Sequence, residues 1–261
     1  MHLYSRHYPT VAGARLNPPD ASIDDYRKLQ HRLGTDRAVI VTPSTYGTNN
    51  QPILDGLAIL GNSGRGIAVV DPSISMNHLE DLHNSGVRGV RLNLSLGVTS
   101  SIDMLELLAE KIGHLGWHIQ ILMPSRQLVQ NRQRLRALRV PLVFDHMGRI
   151  DPDHLSDNEA HKAILDLIVA GKAWVKLSGT YILSHRGPPS YSDMRELVRT
   201  YTQIGPGRLV WGSDWPHASA TAGFQPIPDD AHLLDLIADW VNDDQIFQQI
   251  LVKNPANLYQ F

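Results

Sequence analysis

The sequence predicts an α/β fold: a (β/α)8 barrel of the TIM type, formed as one domain over residues 1–261, with a shortened first strand. Three observations lead there. Short apolar runs alternate with helical patterns along the whole chain. The runs are nearly continuous in apolar residues, as in A-V-I-V, I-A-V-V and I-Q-I-L-M, which suits parallel strands covered on both faces rather than half-exposed hairpins. The length of 261 residues matches the ~250 of one such barrel.

Each element has its own signal. A helical pattern at Ile23–Leu33, closed by Gly34, precedes the first run, Arg37–Pro43. The second run, Gly66–Asp71, leads to a helix at Met76–Ser85 and Gly86, with Gly61, Gly64 and Gly66 reading as turn glycines before it. Val87–Asn93 leads to Ile102–Leu115 and Gly116, His118–Met123 to Leu128–Leu138, and Pro141–His146 to Glu159–Ala170 and Gly171. Trp174–Ser178 leads to Ser192–Ile204, and Leu209–Gly212 to Asp229–Trp240. A last helix, Asp243–Val252, ends before N-P-A-N-L-Y. Glycine directly after a helix is the preferred left-handed stop. Seven runs stand where a barrel has eight, which places the first strand in or before Met1–Tyr4. No G-x-G-x-x-G opens a helix after a strand and no G-x-x-x-x-G-K occurs, so nucleotide-binding open sheets lose support.

Composition narrows the function classes. A net charge of −2 gives no field for nucleic acid or an anionic membrane, and the row Arg132, Arg134, Arg136 and Arg139 reads as a solvated helix face. There is no run of ~18 apolar residues and no apolar signal core behind the start M-H-L-Y-S-R-H-Y-P. The absence of cysteine removes thiolate nucleophiles and zinc–thiolate sites and agrees with a reducing cytoplasm. Surface apolar residues leave room for a homo-oligomer.

The polar residues that bear chemistry gather where the runs end, which in a barrel is the catalytic face. L-V-W-G-S-D-W-P-H carries Asp214 out of a buried strand and is followed by His217. F-D-H-M-G-R supplies Asp145, His146 and Arg149, and V-R-G-V-R-L-N puts Arg91 and Asn93 on one face because side chains alternate along a strand. T-P-S-T-Y-G-T-N-N supplies Tyr46, Asn49 and Asn50, while S-G-T-Y leads through Tyr181 to His185 and Arg186. Plainer readings compete: Asp71 as a turn cap, Asp145 as an orienting group, and Tyr46 and Tyr181 as core aromatics with satisfied hydroxyls. Arg91 with Arg186 points to an anionic, carboxylated substrate. His2, His146 and Asp214 number enough for a catalytic zinc, but no His-x-His or His-Glu-x-x-His pair supports one, so the reading carries no cofactor and keeps a divalent ion such as zinc as the lesser alternative.

F-D-H-M-G-R, V-K-L-S-G, H-R-G-P-P, W-G-S-D-W-P-H and N-P-A-N-L-Y together resemble the amidohydrolase superfamily, in its branch of 2-pyrone-4,6-dicarboxylate lactonases and galactarolactone isomerases. The resemblance implies hydrolysis of a small carboxylated lactone without a metal. Asp214 would serve as general base, His146 and His2 would polarise the carbonyl, Arg91 and Arg186 would hold carboxylates, and His217 would line the pocket, with Asn49, Tyr46 and Asn93 as further substrate contacts. Where the lactonase has a substrate-binding Tyr in its fifth strand, I-Q-I-L-M-P offers Gln120, a departure that bears on the dicarboxylate pyrone itself. The competing expectations are an intramolecular sugar-acid lactone isomerase, a metal-dependent hydrolase or decarboxylase, and a non-catalytic carboxylate-binding barrel.

Overall fold

A computed structural model describes residues 1–95 and 100–261. Its centre is one parallel sheet of seven strands in sequence order: β1 Ala38–Val41, β2 Gly64–Ala68, β3 Val87–Asn93, β4 His118–Leu122, β5 Leu142–Phe144, β6 Ala173–Leu177 and β7 Leu209–Trp211. Helices α1 Ile23–Leu33, α2 Gln51–Leu60, α3 Met76–Asn84, α4 Leu105–Ile112, α5 Ser125–Ala137 and α6 Glu159–Val169 occupy the earlier crossovers. The short α7 Thr180–Leu183 and α8 Met194–Ile204 join β6 to β7. After β7 come the short α9 Ala218–Thr221, then α10 Asp230–Val241, α11 Asp244–Gln248 and α12 Asn254–Tyr259.

The sheet curls until Met1 and His2 lie between its first and last strands. The Met1 nitrogen donates to the Val39 carbonyl at 3.0 Å, and the Val41 amide donates back to the Met1 carbonyl at 2.9 Å. On the other side the His2 amide donates to the Trp215 carbonyl at 2.8 Å. The eighth strand position is thus represented by these few residues, in line with the expected shortened strand. Beside them β1 and β7 part around a cavity of about 430 Å³.

Strand parity separates two cores. Outward-facing residues such as Val90, Leu92, Ile119 and Ile121 join the large core beneath the helices. Val41, Ile67, Val143 and Val210 pack inside the curl with Trp174, and α12 closes that end with Leu258 and Tyr259. Arg91, Gln120, Asp145 and Lys176 also point inward, so the middle of the barrel is polar.

Three local expectations are corrected. Gly64 and Gly66 lie inside β2 rather than in a turn, because a Cβ there would come within 2.8 Å and 2.9 Å of the Leu60 and Leu57 side chains of α2. That helix carries no expected signal, since Pro52 and Gly56 interrupt its pattern. Pro52 sits in the first turn, where its missing N–H costs nothing, and Gly56 lets the helix settle against Leu3 and Ile40. Residues 244–259 run on helically through Gln249–Lys253 and Pro255, where an end was expected before N-P-A-N-L-Y. The four expected stop glycines, Gly34, Gly86, Gly116 and Gly171, all have positive φ. Among the described residues no helix is long and apolar enough to cross a membrane.

Candidate active site

Asp214 leaves β7 with φ 62°, His146 leaves β5 with φ 48° and His217 follows with φ 61°. Non-glycine residues enter this left-handed region rarely, and their clustering at strand ends is the kind of stored strain that functional sites hold. Asp214, His2, His146 and Tyr181 come together at the ends of the strands. Oδ1 of Asp214 lies 3.7 Å from His2 Nε2 and 3.8 Å from His146 Nε2, while Oδ2 accepts a hydrogen bond from the Tyr181 hydroxyl at 2.8 Å. Burial alone would push the Asp214 carboxyl up, but the facing His146 imidazole and the Tyr181 hydroxyl hold its pKa below the ordinary value.

The two imidazoles differ in what they offer. His2 Nδ1 lies 2.8 Å from the Val41 carbonyl, which only accepts, so Nδ1 carries the proton and Nε2 presents a lone pair. Burial, reinforced by the Arg91 charge, pushes the His2 pKa down to about 3, so the ring is neutral at physiological pH. His146 Nδ1 lies 3.0 Å from Ser178 Oγ, a group able to donate, which leaves His146 Nε2 free to carry its proton toward the site. Burial lowers the His146 pKa too. Gly179, at φ 69°, passes so close that a Cβ would lie 2.6 Å from His146 Nδ1.

Beneath these groups Asp145 is 1% exposed. Its Oδ1 lies 2.6 Å from Lys176 Nζ, and its Oδ2 lies 3.4 Å from Arg91 Nε and 3.0 Å from Gln120 Nε2. Desolvation would raise this carboxyl, but Lys176 and Arg91 outweigh it and drive the pKa far below the usual range. Lys176 reaches inward because Gly212 has no Cβ, which would stand 2.8 Å from its stem. Asp214, His2, Ser178 and Lys176 line one end of the 430 Å³ cavity, whose remaining wall is formed mostly by residues 33–39 and 248–261 at the seam between β1 and β7.

The expected substrate contacts are placed unevenly. Arg91 is buried at the site, with Nη1 3.4 Å from the Thr42 carbonyl. Asn93 donates to Ser44 Oγ at 2.8 Å, and Asn49 accepts from the Gln51 amide at 3.0 Å. The Tyr46 hydroxyl is engaged by the Ser5 amide and carbonyl at 2.9 and 3.1 Å, the core-aromatic alternative. Arg186 is exposed and donates to Ser192 Oγ at 3.2 Å. His217 is buried with Nε2 3.0 Å from Asp230 Oδ2, and its ring meets that of Tyr181 edge-on at 5.0 Å. Ser178, Gly179 and Lys176 were not singled out from the sequence. A lysine inside the apolar run W-V-K-L was the available signal for the last.

Two imidazole nitrogens and a carboxylate are suitable donors for zinc, and the ligands of a tetrahedral zinc at ~2.0–2.1 Å stand ~3.3 Å apart. Among the described residues, however, only Asp151, Asp153 and His185 bring three such atoms within 4.8 Å of one another. His2, His146 and Asp214 have the chemistry for a divalent ion, but their spacing does not close on one. The trio at Asp151 is exposed and is held by its own His185–Asp153 contact at 2.9 Å.

A family model described as Amidohydrolase matches residues 2–261. The chain is 32% identical over 258 residues to a 4-sulfomuconolactone hydrolase of Hydrogenophaga intermedia, covering 97% of this chain and 84% of that protein. It is 30% identical over 264 residues to a D-galactarolactone isomerase of Agrobacterium fabrum, covering 100% of this chain and 89% of that protein. The crystal structure of a probable 2-pyrone-4,6-dicarboxylic acid hydrolase from Acinetobacter baumannii, with citric acid bound, matches with a TM-score of 0.87 at 28% identity, covering 100% of this chain and 97% of that one.

Proposed function

The chain belongs to the amidohydrolase family, and from that premise we propose that it is a lactone hydrolase which opens a small anionic, carboxylated lactone with Asp214 as general base. The observation that carries this reading is the Asp214 carboxylate: Oδ2 is tied to Tyr181, and Oδ1 faces two neutral imidazoles. Hydrolase and isomerase relatives that act on lactones agree with it.

In this mechanism a water molecule gives one proton to Asp214 Oδ1 and attacks the lactone carbonyl carbon. With its proton on Nδ1, His2 does not polarise the carbonyl as the resemblance implies; its Nε2, an acceptor, instead takes the hydrogen bond from the water's second proton and so aims its lone pair. His146 Nε2–H donates to the carbonyl oxygen as it becomes an oxyanion, in the tautomer where Ser178 Oγ–H donates to Nδ1. A donor of this kind contributes ~10²–10³ in rate. The ring C–O bond then breaks, and the departing oxygen takes the proton from Asp214, so that lactone plus water gives the open hydroxy acid. Arg91 attracts the substrate's anionic group from inside the barrel, and Arg186 does so from the exposed rim. No step uses a metal, and the setting is the cytoplasm with a freely diffusing substrate.

The relationship to D-galactarolactone isomerase favours one second reading, in which a hydroxyl of the substrate replaces water at the same base. Product mass separates them. Incubated with muconolactones, carboxylated pyrones and sugar-acid lactones, the hydrolase yields a product heavier by one water, whereas an isomerase leaves the mass unchanged. Full turnover by Asp214→Asn would refute both.

A further inference from the structure

The hydroxyl that hydrogen-bonds the base is that of Tyr181. This residue is the second of α7, two positions after Gly179, and is 8% exposed. Its hydroxyl lies 2.8 Å from Asp214 Oδ2, and since a carboxylate only accepts, the phenol must be the donor. The ring is itself braced: His217 meets it edge-on at 5.0 Å and 88°, and Asp230 fixes His217 through Nε2 at 3.0 Å. The two oxygens of Asp214 therefore face different surroundings, Oδ2 a phenol on a braced ring and Oδ1 the two imidazoles.

We infer that Tyr181 is a positioning residue that decides which oxygen of Asp214 reacts, holding Oδ2 so that Oδ1 alone meets the attacking water. The inference rests on the lactonase reading of the same site and adds a part to it. The Asp214 backbone has φ 62°, and no capping hydrogen bond from the following turn reaches its carboxylate, so the side chain takes its orientation from Tyr181. Without the hydroxyl, the carboxylate rotates about its Cβ–Cγ bond and shares its time between productive and unproductive settings. Burial and the neighbouring Asp214 charge both push the Tyr181 phenol pKa upward, which keeps its proton in place for this role.

The test is Tyr181→Phe, which keeps the ring and removes only the hydroxyl. On the lactone that the wild type turns over, kcat should fall ~10–100-fold with KM within twofold, a split expected when a group acts on the reacting atoms and not on binding. A kcat within threefold of wild type overturns the inference. Asp214→Asn alone and combined with Tyr181→Phe completes a cycle. If Tyr181 acts through Asp214, the second change takes nothing further from the residual rate. A full additional loss assigns Tyr181 to something else and overturns it, and this comparison holds even if Tyr181→Phe lowers stability. The tyrosine ring carbon bearing the hydroxyl, labelled with ¹³C, gives a readout free of turnover: its Tyr181 resonance must move in Asp214→Asn. A wild type silent on every lactone refutes the functional reading, whereas an unmoved resonance refutes the positioning contact itself.

Discussion

Gly179→Ala puts a single methyl group against the His146 imidazole. At φ 69° and ψ 23° the residue lies in the left-handed region, where a side chain costs ~1–2 kcal/mol. The new Cβ would stand 2.6 Å from His146 Nδ1 and 2.9 Å from its Cγ, where ordinary contact begins at 3.4 Å, so the ring must retreat by about 0.8 Å. A displacement near 1 Å at a reacting group costs ~10²-fold in rate. We expect kcat to fall about 100-fold, with a melting midpoint lower by only about 2–8 °C at ~2–4 °C per kcal/mol. Gly116→Ala is the matched control. Its φ 66° and ψ 23° impose the same backbone cost, and its Cβ would meet only the flexible end of Gln260 at 3.3 Å. Turnover read by product mass, alongside thermal melts of both variants, decides the matter. Equal kcat values for the two variants would refute the claim that Gly179 exists to make room for His146.

Asp145→Ala leaves Lys176 and Arg91 buried without their shared carboxylate, and denaturant titration should show a loss of ~3–5 kcal/mol. Acid should weaken the fold from the histidine range downward. Burial pushes the His118 pKa down to about 3, from 6.5 in the open chain, so the unfolded state binds more protons between those values. Each group of this kind lowers stability by ~1.4 kcal/mol per pH unit as pH falls through that window, and His118→Leu should make the dependence shallower by about one proton. Treatment with a strong chelator followed by gel filtration should leave lactone turnover unchanged. Activity lost on chelation and restored by zinc would instead show that His2 and His146 close on an ion.

The candidate site was legible because charge is conspicuous in apolar strands. Asp214 and His146 each leave such a run, and strand alternation put Arg91 on the inner face. What the sequence did not disclose was commitment. Tyr46 and Asn93 have the residue types of substrate contacts, but the Ser5 backbone and Ser44 Oγ occupy them, and such partners lie 41 and 49 positions away along the chain. The roles of Ser178 and Tyr181 depend likewise on crossings between β6, β5 and β7, where spacing says nothing. α2 escaped notice for a different reason: Gly56 reads as a helix breaker in isolation, yet close packing on Leu3 and Ile40 requires it.

The contacts of Met1 and His2 make the barrel less a welded hoop than a clasp. Among its fastenings are the bonds from Met1 to Val39 and Val41 and from His2 to Trp215, and the bond that sets the His2 tautomer runs to the same Val41. Releasing the seam therefore removes an imidazole from the active site in the same motion, while the β2–β6 ladder keeps all its pairings. Local opening of this kind precedes global unfolding. Turnover should accordingly vanish at lower temperature or denaturant than the sheet does, which would make the enzyme's activity a gauge of its own closure.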